Sequence, residues 1–233
     1  MRQIRRAEDR GTGRHDWLES YHSFSFADYY DPAHMGVSIL RVINEDRIAP
    51  SSGFATHSHR DMEIVTYVLE GELEHKDSMG NGSIIRPGDV QRMSAGTGVS
   101  HSEYNPSDNT TVHLLQIWLL PNQKGVKPGY AQQHFPLKER QGKLQLLVSP
   151  DGRDNSISAN QNGLLYGTLL NDGESVSYKL PDDRVAYVHI ARGEATVSGE
   201  TVKAGDAITL SDEPTVELHG IKQAEIVLFD LPR

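Results

Sequence analysis

Short runs of apolar and β-branched residues alternate with turn residues along the whole chain. The clearest runs are Gly36–Ile43, Ile64–Leu69, Val112–Leu120, Leu144–Val148, Ala186–Ile190 and Ile226–Leu231. Between them stand Met79-Gly80-Asn81-Gly82, Pro87-Gly88-Asp89, Ser149-Pro150-Asp151-Gly152, Asn171-Asp172-Gly173 and Ala204-Gly205-Asp206. Short strands separated by Gly, Pro and Asn turns predict an all-β sandwich or barrel. No segment carries a long apolar stripe of helical period; Arg14–Tyr21 is expected to hold one helical turn.

A repeat refines this picture. Val68-Leu69-Glu70-Gly71-Glu72 resembles Ile190-Ala191-Arg192-Gly193-Glu194, and each follows a strand ending in Tyr-Val or its near equivalent. Pro87-Gly88-Asp89 then has its counterpart in Ala204-Gly205-Asp206, and a histidine trails each copy, His101 and His219. Glycine recurs because both turns need backbone angles that a Cβ disfavours. Two copies about 120 residues apart predict two similar β-barrels in tandem. The polar segment 122–135 is the expected joint, giving an N-terminal domain over 1–125 and a C-terminal domain over 126–233.

Composition narrows the function classes. The 233 residues are 36% hydrophobic with 21 glycines, enough for a sizeable core. The net charge is −9, from 23 basic and 32 acidic residues, which argues against a nucleic-acid or anionic-membrane partner. No apolar stretch is long enough to span a bilayer, and the charged start has no signal-peptide core, so a cytoplasmic monomer is expected. The absence of cysteine excludes a thiol nucleophile, an iron–sulfur cluster and a Cys-ligated zinc site.

Histidine carries the candidate chemistry. His57-Ser58-His59 and His101-Ser102-Glu103 are two i, i+2 pairs, and in a strand such pairs project to one face. If both strands face into one barrel, three imidazoles and a carboxylate converge, a set suited to a first-row divalent metal. Glu63, four residues after His59, competes with Glu103 for the fourth position; otherwise it orients a ligand imidazole through the ring's other N–H. His113 is a candidate for a place behind the metal, and His22 for the pocket rim. His15, His34, His75 and His134 are expected in solvent, and His189 as a hydrogen-bonded core residue. Phe24, Phe26 and Phe54 read as core, with Phe54 also placed to form a wall. In the second copy, Lys179 and Pro181 hold the places of His57 and His59 and Val185 that of Glu63, so that barrel is expected to be metal-free.

The order H-x-H, Glu63, Gly71, Pro87-Gly88-Asp89, His101 resembles the two motifs of the cupin superfamily. More narrowly, His57–Gly71, Met93–Gly98, His101–Asn105 and the upstream His22–Phe26 resemble the pirin family of bicupins, most closely its short bacterial members. The likeness is close over residues 1 to about 125 and rests on the repeat pattern beyond. It implies two cupin barrels, with His57, His59, His101 and Glu103 as the ligands of one metal per chain. Iron is the metal expected first; Ni, Cu, Mn, Co and Zn suit the same donors. It also places Glu63 behind the ligands.

The resemblance implies a quercetin 2,3-dioxygenase. In such enzymes the flavonol binds through its deprotonated 3-hydroxyl, O2 adds across C2 and C4, and carbon monoxide leaves. Glu103 would then be both ligand and catalytic base, the carboxylate that takes the 3-hydroxyl proton. Two other functions belong to the same family and fold. One is an iron-dependent redox sensor or co-regulator that binds a protein partner, as implied for animal pirins. The other is a non-oxidative cupin using its metal as a Lewis acid. An enclosed apolar pocket over the metal favours the enzyme; a broad charged face favours the regulator.

Overall fold

The computed structural model describes residues 1–233. The first half contributes β1 (Arg2–Arg5), β2 (Gly11–His15), β3 (Leu18–His22), β4 (Leu40–Ile48), β5 (Ser52–His59), β6 (Glu63–Glu70), β7 (Leu73–Asp77), β8 (Gly82–Ile85), β9 (Asp89–Ser94), β10 (Val99–Asn105), β11 (Val112–Leu119) and β12 (Gly129–His134). The second contributes β13 (Gln145–Ser149), β14 (Ile157–Ser158), β15 (Leu164–Leu170), β16 (Ser175–Lys179), β17 (Arg184–Val197), β18 (Glu200–Lys203), β19 (Ala207–Leu210) and β20 (Thr215–Pro232). Only three short 3-10 turns interrupt them, and no helix is long and apolar enough to cross a membrane.

The N-terminal barrel closes a seven-stranded sheet, β12-β9-β6-β11-β4-β3-β2, over a four-stranded sheet, β5-β10-β7-β8. The C-terminal barrel is one nine-stranded sheet. Its long strands β17 and β20 serve both walls because β17 is bulged between Ile190 and Ala195, which bends the ladder. The repeat is visible in the backbone: Gly71 and Gly193 adopt φ of 71° and 73°. A Cβ on Gly71 would lie 2.8 Å from the Thr111 carbonyl, so both strain and space require glycine there.

Strand β6 explains how the barrels join. Its residues are buried on both faces, which is why it reads as an uninterrupted apolar run. Val65, Tyr67 and Leu69 point away from the barrel interior into a 23-residue apolar cluster shared with Leu147, Tyr187 and Phe229 of the second half. The interior of the C-terminal barrel is itself filled by 15 buried apolar residues, among them Val188, Ile190, Ile208 and Leu228.

Several sequence expectations change. Arg14–Tyr21 is not helical; it is the β2–β3 hairpin, in which Leu18, Ser20 and His22 are buried at every second position. The strand expected from Gly36 begins at Leu40, because Gly36 and Ser38 have positive φ and a local bridge joins Val37 to Leu40. The sheets do not divide at residue 125. β1 pairs with β19 of the second half, and β12, inside the expected joint, extends the first sheet along β9.

Candidate metal centre

His57 and His101 face each other directly across the β5–β10 ladder, and His59 lies two residues on along β5. The register slips between His101 and Glu103, so that Glu103 stands opposite Phe54. This leaves two β5 residues, Ala55 and Thr56, against the single Ser102 of β10, a bulge that re-aims the side chains beside it. The ring centroids of the three histidines are 4.5 Å (57–101), 4.8 Å (57–59) and 4.9 Å (59–101) apart. One nitrogen from each converges within 4.8 Å of the others.

The donor set fits a divalent metal. The Nδ1 of His57 is 2.8 Å from the Ala55 carbonyl, which holds the proton on Nδ1 and leaves Nε2 as a free lone pair. Burial pushes His101 down to about 3, aided by the neighbouring His57 and His59. Burial and His57 push His59 down to about 4. Both rings are therefore neutral at pH 7, as metal ligation requires. Both His101 nitrogens are buried without a hydrogen-bond partner, a state that folded proteins rarely tolerate unless an ion or water satisfies it.

Glu103 lines the same cavity but is not among the three converging groups. It is buried, and its carboxyl accepts bonds from Gln116 Nε2 at 2.8 and 2.9 Å and from Thr66 Oγ1 at 3.4 Å. Burial raises it to about 7 against the opposing pull of those two donors. Gln116 and Thr66 come from β11 and β6, and no motif marks them in the sequence. Its interruption of the apolar run Leu114–Leu119 is the only trace of Gln116.

Glu63 does not orient a ligand. It begins β6 on the face opposite Thr66, where it accepts bonds from Ser94 Oγ at 2.8 Å and the Asn160 amide at 3.2 Å. His113 is likewise not behind the metal. Its Nε2 lies 2.9 Å from Glu45, which is ion-paired with Arg10 at 2.8 Å. His189, expected to be hydrogen-bonded, is fully buried with neither nitrogen partnered. His34 is half-buried against Asp31, while His15 and His134 are exposed.

His75 is the larger surprise. Expected in solvent, it is fully buried with its ring centroid 5.3 Å from that of His101. Strand β7 lies beside β10, pairing His75 with Glu103 and Asp77 with His101. His75 Nε2 is 3.1 Å from Asp77, and Tyr130 stacks on its other side at 5.0 Å. Its Nδ1 is unpartnered. Three orphaned nitrogens thus sit together, two on His101 and one on His75. One bond from His101 to an ion and one between the two rings would leave none unpaired, giving the carboxylate–histidine support common behind metal ligands.

Above the histidines opens a cavity of about 630 Å³. Trp118 packs edge-on to His59 at 5.0 Å, Phe26 to Trp118 at 5.4 Å, and Phe54 to Trp17 at 5.1 Å. Phe54 is a wall, as expected; Phe26 is one too, whereas Phe24 is buried in the shared apolar cluster. His22 lines the cavity.

Residues 3–119 match the family model described as Pirin, and residues 146–231 match the Quercetinase C-terminal cupin domain. The chain belongs to the pirin family. This pirin is 47% identical over 230 residues to a protein of Escherichia coli K12 named quercetin 2,3-dioxygenase, covering 98% of each chain. It is 40% identical to a pirin-like protein of Caulobacter vibrioides, over 94% of this chain and 95% of that one. Its structure superposes on bacterial pirin YhhW of E. coli, solved in complex with nickel(II), with a TM-score of 0.95, 44% identity, and coverage of 100% and 99%. A quercetin 2,3-dioxygenase of Acinetobacter baumannii, at 21% identity and a TM-score of 0.77, shares the fold, with coverage of 99% and 86%. The pirin is therefore a bicupin, as its tandem repeat implied.

Proposed function

We propose that this pirin is a metal-dependent dioxygenase that cleaves flavonols such as quercetin with O2 and releases carbon monoxide. One observation carries the reading: three converging imidazoles and a buried carboxyl share the floor of an aromatic-walled cavity. A concave cavity with aromatic walls favours a small planar substrate over a protein partner. In the same proposal His57, His59, His101 and Glu103 hold one metal, in the N-terminal barrel only. Iron comes first, and nickel is supported by the E. coli relative solved with that ion.

A bound divalent metal supplies Lewis acidity toward the substrate's 3-hydroxyl and a partner for O2. The protein's own groups do the rest. Glu103, on the cavity floor beside the histidines, is placed to take the 3-hydroxyl proton. Gln116 and Thr66 hold its carboxyl in one orientation and favour the charged form before transfer. Trp118, Phe26 and Phe54 offer apolar walls to the ring system. O2 adds across C2 and C4, the C2–C3 and C3–C4 bonds break, and C3 leaves with its oxygen as carbon monoxide, so both atoms of O2 stay in the ring-opened ester.

The test is aerobic and anaerobic turnover of quercetin by metal-replete protein, with carbon monoxide measured as co-product. Glu103→Gln should lower kcat by about 10²–10⁴-fold, the usual cost of a missing general base. The loss should shrink as pH approaches the flavonol's own pKa, and flavones lacking the 3-hydroxyl should not react. No carbon monoxide with Fe, Ni, Cu, Mn or Co would overturn the reading in favour of the non-enzymatic regulator.

A further inference from the structure

The inner wall of the N-terminal barrel carries a row of polar side chains where a packed barrel would be apolar. Registered across neighbouring strands, His22 pairs with Asn44, Asn44 with Gln116, and Gln116 with Thr66. The next row pairs Ser20 with Asp46. All six are buried. The equivalent space in the C-terminal barrel is filled by aliphatic residues, so the fold itself does not demand polarity here.

The row runs from Glu103 outward along the cavity, and Ser20, His22, Asn44 and Asp46 all line it. They form a chain with one direction. Ser20 Oγ donates to Asp46 Oδ1, so its oxygen is left to accept from His22 Nε2 at 2.9 Å. That places the His22 proton on Nε2 and leaves Nδ1 as a buried acceptor with no partner. Asn44 Oδ1 is also buried and unpartnered. The protein directs no hydrogen bond to the second carboxyl oxygen of Asp46. The spare capacity of this wall is therefore three acceptors from three different side chains. Buried polar groups with unused capacity are rare and call for a ligand or water, and a ligand that satisfies acceptors must donate. Between aromatic faces the fitting donors are hydroxyls on a planar ring.

We propose that Asp46, Ser20, His22 and Asn44 form a subsite that recognises phenolic hydroxyls on the part of the substrate remote from the metal. The proposal rests on the flavonol reading of this cavity and names its preferred substrates: polyhydroxylated flavonols rather than flavonols bearing the 3-hydroxyl alone. Asp46 is the anchor, because it lines the cavity and its second carboxyl oxygen has no protein partner.

The experiment is anaerobic binding to nickel-loaded protein, read by tryptophan fluorescence. Both tryptophans of the chain, Trp17 and Trp118, line the cavity, so quenching reports occupancy directly. The probes are quercetin and 3-hydroxyflavone. Wild type should bind quercetin about 10-fold more tightly than 3-hydroxyflavone, the upper range of discrimination for one hydrogen bond. Asp46→Asn, which keeps shape, should bring the two within about threefold while leaving metal content unchanged, and Ser20→Ala should act in the same direction with a smaller effect. Equal affinities in wild type, or an undiminished preference in Asp46→Asn with normal metal content, would overturn the subsite. If wild type neither binds nor consumes either flavonol, the flavonol reading falls and the subsite falls with it; binding without discrimination removes the subsite alone.

Discussion

Replacing His75 with phenylalanine tests whether the buried ring beside His101 supports the metal. The substitution keeps an aromatic body against Tyr130 and removes only the two nitrogens. In the native protein, His75 Nε2 is occupied by Asp77, and Nδ1, adjacent to His101, has no other partner. Without it, the second nitrogen of a metal-bound His101 stays buried and unpaired, and the ring loses the partner that fixes its tautomer. Loss of such a support typically costs about 10–100-fold in metal affinity, or roughly 1.4–3 kcal/mol. The assay is competition for Ni(II) or Co(II) against a chromophoric chelator. It is paired with the Cu(II) EPR spectrum, whose hyperfine pattern reports the ligand field and would not move if His75 served packing alone. Asp77→Asn should have a smaller effect in the same direction, because Asn81 and the Met79 amide still position the side chain. Affinity within about twofold of wild type and an unchanged spectrum, in a variant of normal thermal stability, would refute the support.

Three further outcomes follow from the geometry. His57→Ala, His59→Ala and His101→Ala should each abolish near-stoichiometric metal binding, whereas Glu63→Gln should retain it, since Glu63 lies on the far face of β6; metal analysis after dialysis decides, and an empty Glu63→Gln protein would reverse the assignment. His219→Ala should leave the content at one metal per chain, because His219 is half-exposed beside Glu217 rather than inside its barrel; a fall from two to one would refute this. Burial holds His189 down at about 4 against an unfolded value of 6.5. The unfolded chain therefore binds a proton that the folded one refuses, so the stability contributed is whole above pH 6.5 and is lost as pH falls toward 4, by about 3 kcal/mol. In urea titrations His189→Leu should lose less stability than wild type across that window, and parallel acid limbs would count against it.

The sequence by itself determined the β class, the tandem repeat and the three imidazoles. Each of these is written in local spacing. A strand's period of two puts His57 and His59 on one face whatever the rest of the chain does. Gly71 and Gly193 mark the same turn because only glycine accepts its backbone angle beside a neighbouring strand. Local spacing fails once parity must cross a turn or a neighbour must be chosen. Glu63, four residues after His59, reads as within reach of the same metal, but Asp61 adopts a positive φ between them and β6 starts afresh in a different sheet. His75 sits in the polar stretch LEHKD, which reads as surface; it is buried because β7 lies beside β10 under Tyr130 of β12. The polar row His22, Asn44, Gln116 and Thr66 is four isolated residues on four strands. Sheet order alone, a property of long-range pairing, made them one wall of one cavity.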